Sequence, residues 1–472
     1  MTIPANNYYD AIILGAGQAA VPLASALSAK GKRTAMIEQA AVGGTCVNYG
    51  CTPTKTMVAS AEVAHMARRA QEYGIKVTGV SVEMVAVRER KRGMVTKWRE
   101  GSEKRLQNAK FVDLIYGEGS FWGPKEVRVR LNHGGERTLT ADLIVIDTGL
   151  TVNVPLIKGL ADVPYLDNVS VMELSEVPEH LLVLGGGYIG LEFAQMFRRF
   201  GSRVTVIHSG KQLLTGEDSD IADEITAILR DEGIDILLEG KTETATGSGK
   251  NIRLKVKLKE GDTEVSGSHL LVATGRRPNT DKLNLPTAGI ATNERGFIKV
   301  NDRLESSVQG VYAVGDVNGG PAFTHVSYDD FRVLQTNLLE GGNRSVAGRI
   351  YPYCVFIDPQ LGRIGLSENE AKQQGKKVRV ARLPMTSVAR ANETGQTRGF
   401  MKALVDPSTD LILGAAVLGA DGGEIMSLIE VGMMGKLKYS DLQSAIFAHP
   451  LFAESLNNLF SNFEDEKKQE KH

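Results

Sequence analysis

Cysteine is scarce in this chain: the 472 residues include only Cys46, Cys51 and Cys354. So few cysteines exclude a disulfide-rich scaffold, and the absence of a second close pair leaves no ligand set for a cysteine-rich structural zinc site. The net charge of −1 is also small and gives no support for a nucleic-acid-binding surface. A composition of 42% hydrophobic and 24% charged residues excludes collagen-like and disordered chains.

Long apolar runs are absent as well. The apolar run 11–14 follows a polar start and is too short for the hydrophobic part of a signal peptide. No run approaches the roughly 20 residues that a membrane-spanning helix requires. We therefore expect a cytoplasmic protein, and in a reducing compartment a close cysteine pair is more often catalytic or metal-binding than structural. The length predicts about three domains.

Glycine, in contrast, is abundant, with 51 residues, and two glycine clusters each lie between a predicted strand and a predicted helix. The cluster 15–20 follows the strand 10–14, and the cluster 185–190 follows the strand 181–184. Both carry the dinucleotide fingerprint, in which the first glycine permits a tight turn and the second lets a pyrophosphate approach the backbone. The small third residue lets the helix pack on the strand. Two such units predict two dinucleotide sites.

The two close cysteines occupy a glycine-bracketed segment, 43–55, with the sequence GGTCVNYGCTPTK. Cys46 and Cys51 are five residues apart and can meet across a distorted helical turn as a disulfide. A reactive pair requires one accessible thiol with a lowered pKa. Two inert buried thiols are the alternative, and Cys354, which precedes apolar residues, is interpreted as a buried small hydrophobic residue.

The other segments mix strand and helix patterns, and from residue 351 onward the pattern is typical of an α+β unit. The charged tail 464–472 is predicted to be solvated. Strands are predicted within 117–143, 253–259, 270–272, 378–384 and 399–405, and helices at 423–435 and 440–445.

Six motifs, in this order along the chain, resemble those of the flavoprotein disulfide reductases, the family of dihydrolipoamide dehydrogenase, glutathione reductase and mercuric reductase. The resemblance covers nearly the whole chain. It implies an α/β fold with two Rossmann-like dinucleotide-binding domains plus a C-terminal α+β dimerisation domain. The motifs lie at 15–20, 44–55, 185–192, 273–279, 312–316 and 449–454. The implied domains are 1–150 and 271–345 for FAD binding, 151–270 for NAD(P) binding, and 346–472 for dimerisation.

The resemblance also implies two cofactors, FAD at the first fingerprint and NAD(P)H at the second. Glu38, at the spacing expected for ribose recognition, would bind the adenosine ribose of FAD, and Asp316 would bind its ribitol chain. Amides around 324–326 would face the pyrimidine end of the flavin. The implied cofactor-binding set is completed by Gly15, Gly17, Ala20, Gly44, Thr45, Lys55, Gly117, Thr148, Gly149, Thr324, His325, Gly185, Gly187, Tyr188, Ile189, Gly190, His208, Ser209, Lys211, Gly275 and Arg276. No metal site is expected.

The family pattern assigns different roles to the two close cysteines. Cys46 is implied to be the interchange thiol that meets the substrate. Cys51 is implied to lie beside the flavin and to form the charge-transfer contact. Lys55 and Glu192 are implied to form an ion pair near flavin N5, and burial of either charge would demand such pairing.

Near the C-terminus, His449 and Glu454 resemble the base dyad of the family. A carboxylate can fix the tautomer of an imidazole and raise its basicity, which leaves the other ring nitrogen to exchange a proton with a thiol. In relatives this histidine reaches the cysteines of the other subunit. The resemblance therefore implies a homodimer with active sites shared between subunits.

Several departures from the family pattern bear on specificity. The strand after the second fingerprint ends at His208, without the carboxylate of NAD-type sites, so NADPH is favoured over NADH. The C-terminus lacks the cysteine pair of mercuric reductases, which favours a thiol or disulfide substrate over mercury. Phe447 stands where lipoamide enzymes often carry a histidine. Asp147 stands where an alanine is usual, and no function is assigned to it.

The sequence thus predicts an FAD-dependent oxidoreductase that transfers electrons between NAD(P)H and a small-molecule thiol or disulfide through a redox-active Cys46–Cys51 disulfide. The alternative is a metal or quinone reductase similar to mercuric reductase. A non-enzymatic flavin-binding sensor would need neither the cysteine pair nor His449 and Glu454. Lipoamide, a low-molecular-weight disulfide, a metal ion and a quinone stay open as substrates.

Overall fold

The computed structural model describes residues 7–464, so the predicted charged tail lies outside the described residues from 465 onward. The strands are β1 (Tyr8–Leu14), β2 (Thr34–Glu38), β3 (Val112–Gly123), β4 (Glu126–Leu131), β5 (Glu136–Ile146), β6 (Leu150–Val152), β7 (Tyr165–Leu166), β8 (His180–Leu184), β9 (Arg203–Ile207), β10 (Ile234–Leu237), β11 (Lys241–Ser248), β12 (Asn251–Leu258), β13 (Gly261–Gly267), β14 (His269–Val272), β15 (Arg276–Pro278), β16 (Val311–Ala313), β17 (Tyr353–Val355), β18 (Gln360–Gly365), β19 (Arg379–Pro384), β20 (Phe400–Val405) and β21 (Ile412–Gly419). The helices are α1 (Ala20–Ala29), α2 (Gly44–Tyr49), α3 (Cys51–Arg69), α4 (Met84–Gln107), α5 (Tyr188–Phe200), α6 (Ser219–Asp231), α7 (Leu285–Ala288), α8 (Thr324–Leu339), α9 (Glu368–Gln373), α10 (Ala389–Glu393), α11 (Gly422–Met434), α12 (Tyr439–Ser444) and α13 (Ser455–Leu459).

The first unit is built on a parallel sheet with the order β3-β2-β1-β5-β16, and β4 pairs antiparallel with both β3 and β5. Strands of such a sheet are covered on both faces, which explains why β1 is nearly continuously apolar. The carboxyl ends of four strands meet at one edge, where α/β sheets bind their ligands. This edge brings together Gly15, Glu38, Asp147 and Asp316.

The second unit repeats the arrangement with a parallel sheet of order β10-β9-β8-β14-β7. Helix α5 connects β8 to β9 and buries Leu191, Phe193 and Phe197 in the core against that sheet. The antiparallel strands β11, β12 and β13 form a separate small sheet. Both predicted glycine clusters therefore lie between a parallel strand and a helix, as the fingerprint requires.

The C-terminal unit is an antiparallel sheet with the order β17-β18-β21-β20-β19. Helix α11 packs on it through Ile425, Met426 and Ile429, which are buried. The strands predicted at 378–384 and 399–405 are confirmed as β19 and β20, and the predicted helices are confirmed as α11 and α12.

A buried ion-pair cluster joins the second unit to the C-terminal unit. The ammonium of Lys402, which is 1% exposed, lies 2.8 Å from carboxylate oxygens of Asp218, Asp220 and Glu368. These three carboxylates are close enough together to hold a metal ion, but the ammonium takes the central position. Removing Asp218 would leave the buried ammonium of Lys402 with less compensation, so such a change is expected to weaken the contact between the two units.

The predicted α/β class, with two Rossmann-like units and a C-terminal α+β unit, is confirmed. β16 joins the first sheet although the whole second unit precedes it in the chain. The domain bounds 1–150, 151–270, 271–345 and 346–472 stay predictions. Within residues 7–464, no helix is both long and apolar enough to cross a membrane.

Candidate active site

A cavity of about 1110 Å³ extends from the glycine loop after β1 to the two close cysteines. Residues from all three units line it, which explains why they are scattered in the sequence. The predicted site residues among them are Gly15, Gly17, Glu38, Gly44, Thr45, Cys46, Cys51, Lys55, Gly117, Thr148, Gly149, Tyr188, Ile189, Glu192, Arg276, Asp316, Thr324 and His325.

At one end of this cavity, glycines allow backbone segments to approach each other closely. Gly15 has φ +97°, and a Cβ there would lie 2.3 Å from the carbonyl oxygen of Asp147. Gly44 has φ +61°, and its Cβ would lie 2.8 Å from the Cα of Gly17. The loop therefore leaves its backbone open to a ligand, at the start of α1, where the helix dipole favours anions.

Glu38 is held in place beside this loop. Its two carboxylate oxygens accept hydrogen bonds from the backbone amides of Ala16, at 2.9 Å, and Ala40, at 2.8 Å. The side chain is almost fully buried, at 9% exposure. The carboxylate is thus oriented by backbone donors on both sides of it, at the position that the sequence predicts for ribose recognition.

The cysteine pair lies at the junction of two helices. Cys46 is on α2, which begins after Gly43 in the left-handed conformation, and Cys51 is the first residue of α3. Both thiols are unbonded. The hydrogen bond from the Cys46 thiol, assisted by Thr324 and the charge of Lys55, lowers the pKa of Cys51 to about 6. The same hydrogen bond, with burial, raises the pKa of Cys46. The reduced pair is therefore a thiolate at Cys51 beside a thiol at Cys46.

Thr324, which also lines the cavity, helps to stabilise a thiolate at Cys51. Its hydroxyl lies 3.4 Å from the Cys51 sulfur, within hydrogen-bond distance for sulfur. Thr324 is also the first residue of α8, so the positive end of that helix faces the same region. The negative charge of a thiolate is stabilised by both features.

The predicted ion pair is present. The Lys55 ammonium on α3 donates to the Glu192 carboxylate on α5 at 2.6 Å, and Glu192 is 3% exposed. The other oxygen of Glu192 accepts a hydrogen bond of 2.9 Å from the amide of Phe356, a residue that sequence reasoning missed. The Phe356 ring also lies 4.8 Å from the ammonium, as a cation–π contact. The pair is thus fixed by the C-terminal unit as well.

The predicted dyad is formed, but away from the cysteines of its own chain. The His449 Nδ1 lies 2.8 Å from Glu454 Oε2, and the imidazole is 67% exposed. His449 does not line the cavity that contains Cys46 and Cys51 among the residues that the structure describes. The carboxylate fixes the ring and leaves Nε2 as the nitrogen that can reach another molecule.

Large apolar side chains are exposed on the same C-terminal unit. They are Leu428, Val431 and Met434 on α11, at 42%, 67% and 73% exposure, and Ile446 and Leu451 near the dyad, at 101% and 52%. An exposed apolar surface of this kind marks a contact with another protein surface. The position of His449 close to it agrees with a site completed by a second subunit.

A second cavity of about 680 Å³ follows the second fingerprint and meets the first cavity at the start of α5. Tyr188 and Ile189 line both cavities. Gly190 lies outside the lining because it packs the helix on the loop: a Cβ there would lie 2.2 Å from the carbonyl oxygen of Gly185. The predicted residues that line the second cavity are Gly185, Gly187, Tyr188, Ile189, His208, Ser209, Gly275 and Arg276.

His208 lines the second cavity, as the sequence predicts. Its Nδ1 accepts a hydrogen bond of 3.2 Å from the amide of Gly186, and burial lowers the pKa of the imidazole. Its buried Nε2 has no hydrogen-bond partner within residues 7–464. Burial thus favours the uncharged ring, and a contact between His208 and a 2′-phosphate stays a prediction.

Two cations that the sequence did not single out line the second cavity. Lys211 does not line the second cavity in the described part of the chain, whereas Lys241 and Arg295 do. Lys241 begins β11, and no motif in the sequence pointed to it. Ala20 is the remaining predicted residue outside both linings, and its amide instead donates to the Asp147 side chain at 2.9 Å.

Comparisons with known proteins agree with this geometry. Residues 9–330 match the family model described as pyridine nucleotide-disulphide oxidoreductase, and residues 351–460 match the dimerisation domain of the same family. The chain is 39% identical over 459 residues to the probable pyridine nucleotide-disulfide oxidoreductase RclA of Escherichia coli, which covers 96% of this chain and 99% of the relative. A mercuric reductase of Staphylococcus aureus is 32% identical, with 95% and 81% covered.

A solved structure is also similar over nearly the whole chain. It is the Cu(II) complex of the HOCl-induced flavoprotein disulfide reductase RclA from Escherichia coli, with a TM-score of 0.88, 38% identity, and 96% of this chain and 99% of that chain covered. The matched dimerisation domain supports the predicted homodimer. The chain therefore belongs to the pyridine nucleotide-disulphide oxidoreductase family, and it is an oxidoreductase that acts on sulfur groups with FAD and NAD(P)H.

Proposed function

We propose that this enzyme reduces a small-molecule disulfide with electrons from NADPH, through the Cys46–Cys51 pair. The observation that carries the proposal is the position of the pair: both thiols line the larger cavity, and the Cys51 sulfur lies 3.4 Å from the hydroxyl of Thr324 at the start of α8. The lowered pKa of Cys51 and the raised pKa of Cys46 support different roles for the two thiols, one beside the flavin and one that exchanges with substrate.

The residues that line the larger cavity fit FAD. The glycine loop would hold the diphosphate, Glu38 the adenosine ribose and Asp316 the ribitol chain, and the amides at the start of α8 would lie at the flavin end. Bound FAD would take up the hydride of the nicotinamide and deliver two electrons to the cysteine disulfide. Glu192 would hold the ammonium of Lys55 in a fixed position at the end of the cavity that contains the two cysteines.

The chemistry at the cysteines follows from their two pKa shifts. Because the pKa of Cys46 is raised, its thiol needs a base, and we assign this role to His449 of the partner subunit. The Cys46 thiolate then attacks one sulfur of the substrate, whose S–S bond breaks. The leaving thiolate takes the proton back from the imidazole. The Cys51 thiolate next attacks the Cys46 sulfur, which releases the second half of the substrate as a thiolate and re-forms the protein disulfide.

A panel of oxidants tests this proposal. We expect NADPH-dependent turnover with lipoamide, glutathione disulfide or another low-molecular-weight disulfide, and slow turnover with quinones and mercuric ion. If only quinones or metal ions are reduced, and a variant with both cysteines changed to Ser retains that activity, the disulfide assignment is wrong.

A metal ion is the second candidate substrate, because a relative of 38% identity is described as a Cu(II) complex. A thiol and a thiolate can reduce two Cu(II) ions to Cu(I) and become a disulfide, with loss of one proton. The unbonded pair of Cys46 and Cys51 has the atoms for this reaction. Including Cu(II) in the panel distinguishes it from the disulfide substrate.

The preference for NADPH rests on the charges of the second cavity. Among the described residues that line it, none is acidic, while Lys241 and Arg295 are cationic and Arg276 is paired with Asp316 at 3.5 Å. Ser209 adds a hydroxyl donor at the end of β9. This lining favours a 2′-phosphate, which an acid would repel. Because NADPH is supplied inside the cell, we also propose a cytoplasmic location.

Changing Lys241 to Glu is expected to raise the KM for NADPH at least about tenfold more than the KM for NADH, which corresponds to ~1.4 kcal/mol. The added carboxylate would face the 2′-phosphate, a group that NADH lacks. Steady-state kinetics with both nucleotides measure the effect. Lys211→Glu is the matched control, since Lys211 lies outside the cavity lining. Equal changes for the two nucleotides in Lys241→Glu would remove the basis of this preference.

The thiolate of Cys51 also predicts a pH dependence. A thiolate beside oxidised flavin gives a long-wavelength absorption band, and a neutral thiol does not. With a pKa of about 6 for Cys51, we expect the band of the two-electron-reduced enzyme to be complete at neutral pH and to disappear as the pH falls through about 6. Absorbance during an anaerobic acid titration measures this. A midpoint near 9, the ordinary value of a thiol, would contradict the assigned environment.

A further inference from the structure

Asp147 is the departure from the family pattern for which the sequence suggested no function. The structure places it behind the FAD cradle, by which we mean the glycine loop 15–20 and the turn 315–316. It directly follows β5, at the sheet edge where the ligand-binding loops meet. Its Oδ2 accepts a hydrogen bond of 2.9 Å from the amide of Ala20, the first residue of α1. The residue is 8% exposed and lines the larger cavity.

Two glycines make room for this carboxyl group. A Cβ at Gly17 would lie 2.7 Å from Asp147 Oδ2, and a Cβ at Gly315 would lie 3.0 Å from Oδ1. Asp147 therefore fills the space between the first glycine loop and the turn that carries Asp316. These are the two segments that we assign to the diphosphate and the ribitol chain of FAD.

The charge of Asp147 matters at this position. An ionised carboxylate at the start of α1 would occupy the positive end of the helix and repel a diphosphate that binds at the same end. A protonated carboxyl group would remove this repulsion and offer an O–H donor. The protonation state of Asp147 thus decides whether the FAD cradle binds or repels the diphosphate.

The surroundings of Asp147 favour the protonated state. Burial is the largest cause and raises its pKa, and the nearby carboxyl groups of Asp316 and Asp330 raise it as well. Hydrogen bonds from the amides of Ala20 and Ala19 act in the opposite direction, and the net shift is upward. Each of those acids has its own cation: Arg276 lies 3.5 Å from Asp316, and Arg349 lies 2.6 Å from Asp330. The glycine loop and the first turn of α1 contribute no charged side chain. Among the described side chains, no ion pair is formed by Asp147 itself.

We infer that Asp147 carries a proton when FAD is bound and positions the diphosphate, so that the enzyme loses FAD as the pH rises through the range where Asp147 ionises. This inference rests on the FAD site proposed above. The direction follows from linkage: FAD binds the protonated form better, so ionisation of the free cradle lowers the affinity, by up to about tenfold per pH unit. No reaction step is involved, and Asp147 acts as a positioning residue.

The test is the dissociation constant of FAD, measured from the fluorescence of flavin released at equilibrium from diluted holoenzyme as the pH is raised across the range in which the protein stays folded. We expect this constant to rise at least about tenfold in the parent enzyme. Asp147→Asn keeps the shape but cannot ionise, so its dissociation constant should be independent of pH. Asp113→Asn, which neutralises a surface carboxylate of the same unit, should keep the pH dependence of the parent.

A dissociation constant that is independent of pH in the parent enzyme, or that keeps its pH dependence in Asp147→Asn, overturns the inference. If Asp147→Asn retains no FAD at any pH, the number of protons that the parent enzyme releases together with FAD is measured instead. Release of FAD from the parent at alkaline pH must then be accompanied by release of about one proton, and release without a proton overturns the inference. These outcomes are separate from a failure of the proposed function, in which the parent enzyme would bind no FAD or would reduce no disulfide.

Discussion

Changing His449 to Gln is expected to slow disulfide turnover by about 10²–10⁴, the usual effect of losing a general acid–base group. Gln keeps a hydrogen-bonding side chain but cannot exchange the proton that the raised pKa of Cys46 makes necessary. Reduction of bound FAD by NADPH should be nearly unaffected, because that step precedes thiol exchange. Stopped-flow absorbance separates the two steps. His133→Gln, at an exposed hairpin, is the matched control.

Mixed dimers turn this expectation into a test of the shared site. In a heterodimer of one His449→Gln subunit and one Cys46→Ser subunit, one active site carries both changes and the other carries neither. Activity should therefore reappear when the two inactive homodimers exchange subunits. A heterodimer that forms but stays inactive would show that His449 serves its own chain or has no catalytic role.

Changing the cysteines separately is expected to abolish disulfide turnover in both variants but to give different spectra. Cys46→Ser retains the Cys51 thiolate, so its oxidised form should show the long-wavelength band at neutral pH. The midpoint of that band measures how well the serine hydroxyl replaces the hydrogen bond from the Cys46 thiol, which is the main cause of the lowered pKa of Cys51. Cys51→Ser should show no band at any pH.

Cys354→Ser is the control for both cysteine variants. Its thiol contacts Gln360 and the carbonyl of Val355, not the pair. It should keep the parent spectrum after two-electron reduction. Disulfide turnover at the parent rate in both Cys46→Ser and Cys51→Ser would show that the dithiol mechanism is wrong.

Features that depend on short stretches of chain could be predicted from the sequence. The glycine fingerprints place strand, loop and helix within about thirty residues, and their backbone requirements are visible at Gly15 and Gly190, where no Cβ fits. The pairing of Lys55 with Glu192 joins residues far apart in the chain. It was predictable only because each belongs to a motif of the family.

Features that depend on packing could not be predicted. His208 stands at the expected position, but its ring turns toward Gly186 and is neutral, because burial there favours the uncharged form. Lys241 lines the nucleotide cavity from the start of another sheet, and no local pattern marks it. In the sequence Asp147 is only an unusual residue, because the role inferred for it depends on the helix and the two glycines that surround it in space.

The most direct test of the central claim is an anaerobic titration of the oxidised enzyme with dithionite. The account predicts an uptake of about four electrons per FAD, two by the flavin and two by the disulfide of Cys46 and Cys51. It also predicts a long-wavelength band that reaches its maximum after the first two electrons. An uptake of two electrons per FAD with no such band would contradict it and would leave a flavin reductase without a redox-active disulfide.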